Sequence, residues 1–359
     1  MKEITAFISS LGGGGAQGVF VTVMNDYARA GYAVRAVVDE LDNDVYSSKL
    51  DSRITIVELG ARSAKQSLPK LYRFLRQNNV EVAFAFSPEI AVNLFLCKKA
   101  LRQDYKIIAR CINTLSYEYR HAEGFFRRWI TGPVVKLFYH KADHVVAQAQ
   151  NMKKDLICNY GFREEQVTTI NNPLASKYEN REMVRKERGK YLLYVGRIEK
   201  QKGLDMLLKA YSQMKRKDIK LYLVGKGSKK EELMALSERL AVSDRVSFID
   251  FTTDIEGYYE NALCTVLSSL FEGFPNVLTE SIACGTPVVA FDLPSGPEDI
   301  ILPGINGYLA RYRDVDDLAR CMDAAVERVW DYKQVQQSSH RFSEESILPK
   351  YRELIERYI

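Results

Sequence analysis

The apolar runs of this chain keep a rhythm, and the rhythm occurs twice. In the first half, short apolar runs at 4–9, 33–38, 54–57, 82–86, 107–109 and 144–146 alternate with amphipathic stretches such as 19–30 and 68–78. A second series starts at Tyr191, with runs at 191–198, 221–227, 246–250, 264–269 and 288–291 and helical patterns at 203–214, 231–240 and 255–262. Strands that alternate with helices build a parallel sheet, because each crossover lays a helix on one face. The prediction is an α/β chain of two Rossmann-like, doubly wound domains, and 359 residues are already long for a single core. The series break at Ile170-Asn171-Asn172-Pro173, where a strand ends in turn chemistry and a charged stretch runs to Lys190. Domains are therefore drawn at 1–172 and 173–339. A trailing segment, 340–359, follows a second polar spacer and is amphipathic and helical from 342.

Bulk properties exclude several classes. Apolar residues at 46% and charged residues at 27% are ordinary for a folded soluble chain. Six cysteines lie far apart with no C-x-x-C, and there are only four histidines, so reduced thiols are expected and a zinc site is not. The first ten residues carry Glu3 and a short apolar run, which reads as a first strand and not a signal peptide. The best spanning candidate, 82–97, is broken by Pro88 and Glu89, so no integral membrane helix is expected. Of the net +5, the excess lies in the first half. Residues 1–175 hold 23 Lys+Arg against 17 Asp+Glu, and the remainder 28 against 29. Spread over a whole domain this is no basic stripe, and no nucleic-acid-binding motif accompanies it.

The segment 272–292, EGFPNVLTESIACGTPVVAFD, is the most specific. It sets Glu272 in a Gly-Phe-Pro turn and Glu280 about one and a half turns into a helix that Pro275 is suited to start. Gly285 and Pro287 end that helix before a buried strand, Val288–Phe291. A turn and helix at a strand end aim backbone N–H groups and a positive dipole end outward, where an anion can sit. Two carboxylates on either side of a phosphate suit two hydroxylated groups, the pattern of a nucleotide sugar. The segment resembles the E-x7-E element of the family-4 retaining glycosyltransferases, which have the GT-B fold. The resemblance includes the aromatic-Pro after the first Glu and the Gly-x-Pro-Val-Val strand.

Other motifs join it. Gly13, Gly15 and Gly18 satisfy G-x-G-x-x-G, and Asp39 ends the second strand 21 residues later. That is a dinucleotide fingerprint, and an NAD(P)-dependent oxidoreductase is the rival reading. In the resembled family the same loop carries Gly-Gly-Ala-Glu/Gln, here Gly14-Gly15-Ala16-Gln17, placed toward the donor diphosphate. Gly196-Arg197 followed by Lys202-Gly203 offers a planar fork and a point charge for phosphate oxygens, or else an ordinary surface pair. The family pattern Gly-Arg-x4-Lys-Gly implies that Arg197 and Lys202 neutralise the leaving diphosphate. Gly225-Lys226-Gly227 stands where relatives have Gly-acid-Gly, and Gly225 and Gly227 would let the backbone approach the nucleotide. Ser295-Gly296-Pro297-Glu298 is a tight turn or the Gly-Pro-x-Glu turn of polysaccharide-assembling members. Where many relatives carry a histidine beside the donor sugar this chain has Cys111, leaving Arg110 and Asn113 to supply that contact. The stretch 125–139 interleaves aromatics with Arg and Lys, as in a helix lying on an anionic membrane or in a buried helix with a charged outer face.

The resemblance implies a glycosyltransferase with its ligands in a cleft between the domains and the final helix crossing back onto the first. It implies retaining, metal-independent transfer of a hexose or N-acetylhexosamine from a UDP-linked nucleotide sugar to a saccharide acceptor. Glu272 would hold sugar hydroxyls, the backbone of Phe274, Pro275, Asn276 and Val277 the sugar and phosphate, and Glu280 the ribose. Gly14, Gly15 and Gly196 would line the donor. No D-x-D motif stands near a donor strand, so neither a metal nor a cofactor is expected. The expected acceptor is polyprenyl-diphosphate-linked, met by a cytoplasmic protein at the inner membrane face. A non-catalytic sugar-nucleotide-binding protein would not need Arg197, Lys202 and Glu272 together.

Overall fold

A computed structural model describes residues 2–41, 45–62, 64–121, 124–179, 181, 188–250, 252 and 254–359. The chain divides into two compact units, Met1–Ala175 with Glu344–Ile359, and Ser176–Ser343. Seven residues of the charged linker read from the sequence, 180 and 182–187, lie outside the described residues.

In the first unit the strands are β1 (Glu3–Ser10), β2 (Ala33–Glu40), β3 (Thr55–Glu58), β4 (Val82–Ala85), β5 (Lys106–Cys111), β6 (His144–Ala147) and β7 (Val167–Thr169). Among the described residues they form one parallel sheet in the order β3-β2-β1-β4-β5-β6-β7. The helix Pro88–Leu101, not read from the sequence, starts where its chemistry allows. Pro88 needs no N–H partner at the first turn, and Ser87 Oγ accepts from Ile90 N at 3.2 Å. The C-terminal helix Glu344–Glu356 belongs to this unit and packs on the helix Gly15–Arg29. Ile347, Leu348, Tyr351, Leu354 and Ile355 are buried there, each contributing about 1.5–3 kcal/mol of apolar burial. Tyr27 Oη donates to the Tyr351 carbonyl at 3.0 Å, and Arg352 pairs with Asp26 at 2.6 Å. This helix begins two residues later than read, because Phe342 stays with the second unit, edge-on to Phe274 with centroids 5.4 Å apart.

In the second unit β8 (Tyr191–Val195), β9 (Lys220–Val224), β10 (Val246–Ile249), β11 (Cys264–Leu267), β12 (Val288–Phe291) and β13 (Gly307–Ala310) form a second parallel sheet, in the order β10-β9-β8-β11-β12-β13. β13 escaped the sequence reading because it is four residues long and opens on a glycine. That glycine is required: a Cβ on Gly307 would lie 2.0 Å from the Val288 carbonyl oxygen.

Candidate active site

Open parallel sheets bind ligands at the carboxyl ends of the strands where the strand order reverses. In the second unit that point lies between β8 and β11, and the loops leaving these two strands carry the residues singled out in the sequence. After β8 come Gly196, Arg197 and a short turn, Lys200–Lys202. After β11 come Ser268 to Glu272. The two loops are stitched together by Leu270 N to the Gln201 carbonyl at 2.8 Å, Gln201 Nε2 to the Phe271 carbonyl at 2.9 Å, and Ser268 Oγ to the Lys202 carbonyl at 2.9 Å. Gly203 permits this approach, with φ 58 and room for no side chain, since a Cβ would lie 2.3 Å from the Ser268 carbonyl oxygen.

The stitching brings Lys202 Nζ to 2.5 Å from Glu272 Oε1, and their side chains are 15% and 11% exposed. Ser269 Oγ donates to the same carboxylate oxygen at 2.6 Å, while Ser295 Oγ donates to the Glu272 carbonyl at 2.6 Å. Glu272 is therefore held at both ends. Arg197 is exposed, with Nη2 donating to Gln201 Oε1 at 3.2 Å. Beside this pair the helix Asn276–Ala283 starts, with Pro275 as its cap, so the positive end of its dipole lies at 275–277. Phe274 packs its ring into the core, leaving its backbone to the site. Glu280 accepts from Tyr259 Oη at 3.1 Å and keeps part of its surface accessible. Burial raises its carboxyl above the ordinary carboxylate value, against the lowering effect of the Tyr259 hydroxyl. Tyr259 is pushed well above the usual phenol range by burial and then by the Glu280 charge.

Gly225 and Gly227 belong to the same edge, and their need for glycine lies within the protein. A Cβ on either would fall 1.9 Å from the Gly196 carbonyl oxygen or 2.1 Å from that of Ile198. The loops after β8 and β9 run this close because Ile198 N donates to the Lys226 carbonyl at 2.8 Å. Glu199 accepts from Ser228 N at 2.8 Å and Ser228 Oγ at 2.7 Å, bonds that lower its carboxyl below the usual range. Sequence reasoning missed Glu199, Gln201, Ser269 and Tyr259, and read Ser295 only as part of a turn. These are common residue types that no local signal marks: Ser269 meets Glu272 three residues on, and the others find partners 21 to 70 residues away in sequence.

In the first unit Gly13, Gly14 and Gly15 lie exposed at the carboxyl end of β1, again where the strand order reverses. The helix Gly15–Arg29 follows them directly. Asp39, which a dinucleotide site would use for ribose, is instead engaged by Ser67 Oγ at 3.0 Å and raised in pKa by burial. The expectation that Arg110 lines a sugar pocket is corrected. Arg110 is fully buried and shares the sheet face of Ile108, where the C-terminal helix packs. Its Nε donates to Tyr351 Oη at 3.3 Å, its Nη2 to Asn172, and its guanidinium carbon lies 5.6 Å from the centre of the Phe86 ring. The strand alternation that turns Arg110 to that helix turns Cys111 into the opposite core, where burial pushes its thiol well up. Asn113 is half-buried, with its side chain bonded to buried Glu118.

Among the described residues no group of three or more His, Cys, Asp or Glu is placed to hold a metal ion, and no helix is long and apolar enough to cross a membrane.

Comparison with known proteins agrees with this architecture. Residues 13–176 match the family model for Glycosyltransferase Family 4, and residues 176–345 that for Glycosyl transferases group 1. An uncharacterized glycosyltransferase of Haemophilus influenzae is 26% identical over 352 residues, 96% of each chain. The N-acetylgalactosamine-N,N'-diacetylbacillosaminyl-diphospho-undecaprenol 4-alpha-N-acetylgalactosaminyltransferase of Campylobacter jejuni is 26% identical over 312 residues, covering 84% of this chain and 83% of that one. The solved lipopolysaccharide outer core galactosyltransferase WaaB superposes over all of both chains with TM-score 0.80 at 19% identity. Anabaena HepE in complex with UDP gives TM-score 0.77 at 19% identity, over 99% of this chain and 100% of that one. These likenesses show the GT-B fold.

Proposed function

The chain belongs to glycosyltransferase family 4, and we propose that it transfers a hexose or N-acetylhexosamine from a UDP-sugar to a saccharide acceptor with retention of configuration. The observation that carries this reading is the convergence of Arg197, Lys202, Glu272 and the helix start at 275–277 on the reversal point of the second sheet. Two cations and a helix end can take the charge of a departing diphosphate, the work a divalent metal does elsewhere. Glu272 is fixed where it can accept hydrogen bonds from sugar hydroxyls, and Glu280, held by Tyr259, from the ribose. In the reaction the bond from the sugar C1 to the diphosphate oxygen breaks, and the acceptor oxygen bonds C1 from the same face. The acceptor's hydroxyl proton passes to the leaving phosphate oxygen, so no enzyme nucleophile and no cofactor are needed.

We assign the acceptor to a polyprenyl-diphosphate-linked saccharide in lipopolysaccharide or capsule assembly, used by a cytoplasmic protein attached peripherally to the membrane. The name of the Campylobacter relative, which specifies a diphospho-undecaprenol acceptor, supports this assignment. A panel of UDP-, GDP- and ADP-sugars, assayed for hydrolysis and for thermal stabilisation, tests the donor. Stabilisation and slow UDP release with UDP-hexoses are expected. Stabilisation by GDP- or ADP-sugars alone would overturn the UDP assignment.

A further inference from the structure

Residues 124–130 form an unbroken exposed stretch on the first unit. Phe125 is 73% exposed, Trp129 61% and Leu137 61%, and Phe126, Ile130 and Val134 join them. The other large apolar side chains exposed among the described residues, such as Val45, Met234 and Val329, are scattered singly, as on any soluble surface. The segment is nevertheless firmly built. A wide helical turn, Arg127–Thr131, runs into the helix Gly132–Phe138. Gly132, Val135 and Tyr139 face inward at helical spacing, with Tyr139 edge-on to Phe162 at 5.1 Å. Arg127 pairs with buried Glu118 on the helix Leu115–Arg120, the element that follows β5. One face of this helix is thus core and the opposite face is apolar in water.

The charges around that face identify what covers it. Between residues 120 and 141 the sequence holds five Lys+Arg and a single acidic residue. Arg128, Lys136 and Lys141 are exposed, and the Arg128 guanidinium lies 5.5 Å from the centre of the Trp129 ring. A second copy meeting this face about a two-fold axis would set these cations against their own counterparts. A surface with an apolar interior and anionic phosphates above it satisfies both halves of the pattern.

We propose that this face docks the protein onto an anionic lipid leaflet, with Phe125, Trp129 and Leu137 entering the acyl boundary and Arg128, Lys136 and Lys141 meeting lipid phosphates. The inference deepens the reading of a lipid-linked acceptor and rests on it for its purpose, since such an acceptor is met only at a membrane.

The test uses the full chain carrying Trp330→Phe. The sequence has two tryptophans and Trp330 is buried, so this leaves Trp129 as the single reporter. Vesicles of phosphatidylcholine and phosphatidylglycerol at a ratio of about 4:1 should shift Trp129 emission to the blue, and pure phosphatidylcholine should do so far less. Binding should weaken about fivefold with Lys136→Gln, the factor for one cation at an anionic leaflet. It should weaken further with Leu137→Ser and as salt is raised. Unchanged emission with anionic vesicles overturns the proposal, as does binding indifferent to both substitutions. A dimer in sedimentation that Leu137→Ser dissolves would assign the face to a second copy and overturn it too. UDP titration of the same variants separates the two readings. In Lys136→Gln and Leu137→Ser UDP affinity should stay unchanged while vesicle binding falls. In the Trp330→Phe chain itself, no vesicle binding with UDP affinity kept would fail this inference alone, and vesicle binding without UDP affinity would fail the transferase reading alone.

Discussion

Glu272→Gln keeps the shape of the side chain and removes its charge, which isolates what the Lys202–Glu272 pair does before any donor arrives. The Lys202 ammonium sits 2.5 Å from a carboxylate oxygen that also takes the Ser269 hydroxyl, and little of the pair reaches solvent. A hydrogen bond to a charged group contributes about 1.5–3 kcal/mol, and the substitution loses most of that from the free protein. For a unit of this size about 1 kcal/mol corresponds to 2–4 °C, so the melting temperature should fall by roughly 5–10 °C. In the proposed donor complex Lys202 turns its charge to the diphosphate, so the complex loses less than the free protein. The difference appears as tighter UDP binding, about tenfold for each 1.4 kcal/mol, alongside lower turnover because a sugar-holding carboxylate is gone. Scanning calorimetry with and without UDP, and titration calorimetry with UDP, read both quantities. An unchanged melting temperature together with weaker UDP binding would refute the argument, since Lys202 would then owe nothing to Glu272 in the free state.

Two further outcomes are expected. Glu280→Ala should weaken UDP binding about ten- to a hundredfold through loss of a charged acceptor, and unchanged affinity in a folded variant would remove Glu280 from the ribose site. His144 is buried between Thr168 Oγ1 at 2.9 Å and Tyr358 Oη at 3.1 Å, and burial lowers its pKa from 6.5 to about 4. The unfolded chain takes up that proton first, so this contribution to stability is complete above 6.5 and is lost as pH falls toward about 4. Urea melts across that window should show the loss in the parent and a flatter profile in His144→Gln; identical profiles would contradict it.

The sequence was most legible where the chemistry is local. The strand Val288–Phe291 and the helix after Pro275 follow from runs, caps and breakers only a few residues apart, and the structure has both within a residue. The two sheets follow from the double rhythm of apolar runs. Arg110 was misread because strand alternation says that two neighbours face opposite ways but not what covers each face. Here the cover is a helix some 240 residues further along the chain. The supports of Glu272 were invisible for a related reason. Ser269 is an ordinary loop hydroxyl three residues before the carboxylate it meets, and only the folded sheet brings Ser295 to the Glu272 carbonyl.

The most direct test of the central claim is UDP release from a UDP-sugar, with acceptor extract, in the presence of EDTA, comparing the parent with Arg197→Ala. Arg197 stands at the reversal point of the second sheet, bonded only lightly to Gln201, and it is the group proposed to meet the departing diphosphate. Loss of one preorganised charge-stabilising donor costs about a hundredfold or more in turnover. The account predicts activity that persists in chelator, falls by that factor in Arg197→Ala, and gives a product of the donor's own anomeric configuration by NMR. Activity abolished by EDTA and restored by Mg²⁺ or Mn²⁺, or an Arg197→Ala variant as active as the parent, would contradict it.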